Sequence, residues 1–87
     1  MEQIPTIGRI VHYVIQGGEN EGVKSNGRNA GYELPAIIVA VWPNEFGEGV
    51  YGVNLQVFSD NGGVIPLSSV KLVEGVENGT CHWPERV

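Results

Sequence analysis

The chain is short of cysteine, of cations and of long apolar runs, and each shortage closes off a class of protein. Cys81 is the one cysteine, so no disulfide can close within the chain, which fits a reducing cytoplasm. Five Lys and Arg stand against ten Asp and Glu, a formal charge of −5. A surface so poor in cations repels a polyphosphate backbone, and duplex nucleic acid is not an expected partner. No apolar stretch approaches the roughly 20 residues of a membrane-spanning helix. No charged segment followed by an apolar one opens the chain as a secretory leader would. The expectation is a soluble, cytoplasmic protein with no membrane partner. Nor does any segment carry apolar residues at i, i+3, i+4 and i+7, so no substantial helix is expected.

What is present is β-forming. At 87 residues the chain makes one domain, residues 1–87. Ile10, Val11, Tyr13, Val14 and Ile15 form a β-branched and aromatic run between glycines, the first strand. Residues 17–33 hold five Gly, three Asn and five charged side chains without an apolar period and read as one long loop. Pro35 opens an unbroken apolar strand that Pro43 stops. The third strand alternates, with Val53, Leu55 and Val57 on one face and Asn54, Gln56 and Phe58 on the other. Asn61, Gly62 and Gly63 suit a hairpin turn. A short strand at Val64–Pro66, one tight helical turn at Leu67–Ser69 and a last strand at Val70–Val73 follow, and the remaining tail has no period.

The class is therefore all-β. Five short strands, a long first loop, a Pro-ended fourth strand and an irregular C-terminal tail resemble the Src-homology-3-like small barrel, with Ile65-Pro66-Leu67-Ser68-Ser69-Val70 resembling its closing strand, turn and strand. Pro35-Ala36-Ile37-Ile38-Val39 is similar to the second strand of chromatin-reader barrels. Neither group's ligand pocket transfers.

Candidate chemistry is sparse. His12, Cys81 and His82 are the soft ligands, and their sequence spacing forms no zinc cluster, so no metal site is expected. Cys81 and His82 are neighbours whose side chains diverge on an extended segment, and no nucleophile stands beside a base. Carboxylates such as Glu45, Glu48, Asp60 and Glu85 fall in turns and tail, where they read as solvated surface. No catalytic residue and no cofactor is expected. In the long loop Glu19 and Glu21 oppose a phosphate-loop reading, yet Lys24, Asn26 and Arg28 gather cations and amide donors able to close over a small anion.

The segments Gly8-Arg9-Ile10-Val11-His12-Tyr13-Val14, Pro35-Ala36-Ile37-Ile38-Val39, Val53-Asn54-Leu55-Gln56-Val57-Phe58 and His82-Trp83-Pro84-Glu85 resemble, in the same order, a family of short proteins encoded by bacteriophages and prophages. Leu34 stands where that family often carries a basic residue and Cys81 where it carries Trp, so neither position is given a ligand role. The resemblance implies an accessory protein of the host cytoplasm: a virion part, a host-takeover factor, or an oligomeric sponge for nucleotide signals of antiviral defence.

Both faces of the first two strands are apolar, and a barrel has one inside. Ile10 and Val14 fall on one side, and Val11, Tyr13 and Ile15 on the other. A homo-oligomer joined through the outer residues of these strands is expected, the alternative being that loop and tail, Trp83 included, cover them within one chain. The leading functional expectation is non-enzymatic sequestration of a cyclic nucleotide or an ADP-ribose-type molecule. Tyr13, Tyr32, Trp42 and Trp83 are assigned to base stacking, Asn54 and Gln56 to the base edge, and Arg9, Lys24 and Arg28 to phosphate, with Asn26 beside them. The alternative is a virion component or an adaptor that blocks a host protein.

Overall fold

A computed structural model of the chain describes residues 4–16, 32–59 and 63–84. Five strands, β1 Ile10–Val14, β2 Glu33–Trp42, β3 Gly52–Phe58, β4 Val64–Leu72 and β5 Thr80–His82, close into a barrel in chain order. Among the described residues there is no helix. A ring of five strands cannot alternate direction all the way round. Here β4 and β5 are the parallel pair, while every other neighbouring pair is antiparallel. The expected all-β five-stranded barrel is the fold found, and its strand order is compatible with a Src-homology-3-like barrel.

The core fills from alternate positions of each strand. Val11, Tyr13 and Ile15 meet Leu34, Ala36 and Ile38, Val53, Leu55 and Val57, and then Ile65, Val70 and Cys81. The expected face of the third strand is thus the buried one.

Two irregularities curl this sheet into a closed ring. Val39 is an extra residue on β2 between the pairs Ile38–Leu55 and Ala40–Asn54. Ser68 and Ser69 together oppose Asn54 on β4, between the pairs Val53–Val70 and Leu55–Leu67. An inserted residue reverses which side of the strand each later residue faces and sharpens the local twist. Ile65 and Leu67 therefore face inward before the β4 bulge, and Val70 and Leu72 after it. Ser69 takes a φ of 55°, a left-handed backbone unusual for a residue with a side chain.

Three sequence expectations need correction. The tight helical turn at Leu67–Ser69 is this bulge, within one continuous strand. The fifth strand is not Val70–Val73: it comes from the tail expected to be irregular, where Thr80, Cys81 and His82 pair with β1 and β4. The strand opened by Pro35 begins earlier, at Glu33. Thr80 is held by its backbone N–H and its hydroxyl, both donating to Glu77 O, while Gly79, at φ 80°, donates its N–H to Val14 O. Of the loop expected over residues 17–33, residues 17–31 lie outside the described residues; Tyr32 is placed just before β2, and Glu33 belongs to β2 and not to the loop.

Candidate functional site

The outer surface of β5, β1 and β2 brings three polar side chains to one point. His12 and His82 are direct cross-strand partners, and Glu33 pairs with Val14, one outward position further along β1. Strand alternation aims all three away from the core. Glu33 Oε1 lies 3.3 Å from His12 Nδ1 and 3.0 Å from His82 Nε2. The two imidazoles meet edge to face, with centroids 5.8 Å apart. His82 is buried, and its other ring nitrogen, Nδ1, has no hydrogen-bond partner among the described residues. The cluster lines a hollow of about 530 Å³ together with Glu74, Val76 and Trp83. The Arg9 guanidinium lies over the ring of Trp83, one of the lining residues, 4.8 Å from its centroid, a cation–π contact.

Cys81, one residue from His82, does the opposite. Its side chain belongs to the core, and burial pushes the thiol from 9.0 up to about 12. A thiol held protonated is neither nucleophile nor ready metal ligand.

The residues assigned to nucleotide binding are scattered. Arg9 and Trp83 do come together, with Trp83 also packed against the core. Tyr13 does not serve: it is 2% exposed within the core cluster, so although it borders a second hollow of about 400 Å³ it offers no face for a base. Asn54 is also spent internally, because its Oδ1 accepts both the Trp42 indole N–H and the Ser69 backbone N–H, each at 2.9 Å. Trp42 is 46% exposed despite that bond, Tyr32 is exposed just before β2, and Gln56 points outward from β3. Lys24, Asn26 and Arg28 lie outside the described residues.

Sequence reasoning missed the His12–Glu33–His82 cluster because its members are separated by 21 and 49 residues along the chain from Glu33. The outward phase of His12 on β1 was visible; the strand carrying His82 was not. Comparison with family models, curated proteins and solved structures finds no match for this chain. Among the described residues no helix is long and apolar enough to cross a membrane.

Proposed function

We propose that this chain is a non-enzymatic binding protein that works as a homo-oligomer, its copies meeting on the outer face of β1 to β4. The observation behind this reading is a row of outward partners across four strands: Ile10 pairs with Ile37, Ile37 with Gln56, and Gln56 with Pro66. Beside it, Phe58 pairs with Val64, and both are exposed. These rows carry no charged side chain, in a chain whose net charge of −5 makes copies repel elsewhere. Gln56, the polar centre of the face, both donates and accepts, and so suits pairing with its own copy across a two-fold axis. Ile10 and Val64 are about half exposed, so covering each contributes roughly 1 kcal/mol, about half the value for a fully exposed aliphatic side chain, before the cost of association.

The resemblance to phage and prophage proteins supports an accessory role in the host cytoplasm. A sponge for a nucleotide signal is its most specific form, supported by Arg9 over Trp83 beside a hollow and by the exposed faces of Trp42 and Tyr32. A second reading, a virion part or adaptor docked on another protein, gains from the fate of Tyr13 and Asn54, since two assigned base contacts are used inside the fold.

Gel filtration with light scattering tests the assembly, and a strictly monomeric species at micromolar concentration would remove it. Thermal unfolding with a panel of cyclic di- and trinucleotides and ADP-ribose derivatives separates the two readings. A sponge gains about 2.7 kcal/mol at 100 times the dissociation constant, whereas an adaptor does not respond.

A further inference from the structure

We propose that His12, Glu33 and His82 form a binding site for a divalent transition-metal ion of the zinc, cobalt and nickel type. The three residues offer two imidazole nitrogens and a carboxylate oxygen, with the ligand atoms all within 4.8 Å of one another. Around a tetrahedral ion with ligands at about 2.0–2.2 Å, neighbouring ligand atoms stand about 3.3–3.6 Å apart. Glu33 Oε1 is already 3.3 Å and 3.0 Å from the two nitrogens. The ion would sit between Glu33 Oε1 and the two ring nitrogens, and rotation of the half-exposed His12 ring brings its nitrogen closer to that of His82.

The surroundings favour a cation with nitrogen affinity. Glu74 adds a second carboxylate to the hollow, and the ion's remaining coordination positions open into that space, for water or an exogenous donor. Two imidazoles select zinc, cobalt, nickel or copper over the all-oxygen preference of magnesium and calcium. The strands holding the ligands are joined in a closed ring, so their backbone is already in position when the ion arrives. His82 Nδ1 has no acceptor for an N–H among the described residues, a partner that metal-bound histidines ordinarily have and whose loss costs about 10–100-fold in affinity. The site therefore falls short of the affinity of a closed structural zinc centre.

The composition makes the test sharp, because the chain holds two histidines and both are in the cluster. Zn²⁺ and Co²⁺ are titrated into the chelator-stripped full chain, by calorimetry and by visible absorption respectively. One ion per chain is expected, with a Co²⁺ spectrum of low coordination number and no heat from Mg²⁺ or Ca²⁺. His12→Ala abolishes binding and Glu33→Gln weakens it at least tenfold. Both positions are partly exposed, and circular dichroism checks that both variants fold. Zn²⁺ binding unchanged in His12→Ala, or no binding by the native chain, overturns the proposal. All three ligands come from one chain, so the titration stands whether or not the chain self-associates.

Discussion

Trp42 on β2 donates its indole N–H to Asn54 Oδ1 on β3 at 2.9 Å, directly beside the two bulges that close the barrel. The same oxygen accepts the backbone N–H of Ser69 on β4 at 2.9 Å, so one amide clips three strands where each ladder is interrupted. Backbone groups freed by a bulge need a partner, and Asn54 supplies it. Asn54→Ala is expected to cost about 1–2 kcal/mol in urea unfolding, the worth of two partly solvated hydrogen bonds. Trp42→Phe, which removes one of them and keeps most of the ring, costs less. A loss from Asn54→Ala no larger than that from Trp42→Phe would show that the Ser69 bond carries nothing.

Ser69 gives a second, signed test of the bulge. At φ 55° its side chain sits in a backbone region that costs an L-residue about 1–2 kcal/mol, and glycine is free of that strain while losing more entropy on folding. Ser69→Gly is expected to be neutral or stabilising by about 0.5 kcal/mol, and Ser69→Val to destabilise by about 1–2 kcal/mol through its branched Cβ. Thermal midpoints of the two variants should move apart by several degrees in a domain of this size.

The bulges also explain which parts of the fold were legible. Alternation in Val53, Leu55 and Val57 gave the core face of β3 directly, and the β-branched run of β1 gave its strand. In β4 the pattern Ile65, Leu67, Val70, Leu72 breaks period 2 by one residue, which resembles a strand stopping and restarting; inside a continuous strand it is the mark of an inserted residue. Strand β5 was hidden because three residues are too few to show a period, and its pairing depends on partners about 70 residues earlier, His12 and Tyr13. With β5 unseen, His82 had no place in space, so its meeting with His12 and Glu33 could not be read. Asn54 and Gln56 looked equivalent in sequence, both outward on a wet face, and only the bulge opposite Asn54 separates a structural clip from an open amide.

Cys81 predicts both reactivity and a pH response. Its thiol is fully buried and pushed up to about 12, so it should resist iodoacetamide and disulfide reagents in the native protein at pH 8 and react stoichiometrically once urea unfolds it. The unfolded thiol titrates near 9 and the folded one near 12. Between those values the unfolded state alone loses the proton, so native stability from this group is complete below about pH 9 and declines as pH rises toward 12. Cys81→Ala, although less stable overall for its lost volume, should show a shallower decline of unfolding free energy from pH 8.5 to 10.5 than the native chain. Parallel slopes would mean that the thiol titrates alike in both states.

Ile10 and Val14 share the outer phase of β1, and simple alternation treats them alike. The structure separates them: Ile10 is 46% exposed, whereas Val14 is fully buried although it lies outside the core cluster. The expected outer seam of β1 is therefore corrected to exclude Val14. A carboxylate placed at Val14 must leave water without a partner, which costs several kcal/mol, while one placed at Ile10 remains solvated. Val14→Glu is expected to prevent folding or lower the midpoint by well over 10 °C. Ile10→Glu should keep a native circular dichroism spectrum and, if subunits meet on this face, shift the light-scattering mass toward that of one chain by setting like charges against each other across the contact. An Ile10→Glu variant that folds and retains the native mass would move the contact elsewhere on the barrel, since no interface centred on the Ile10–Ile37 pair could accommodate two buried carboxylates.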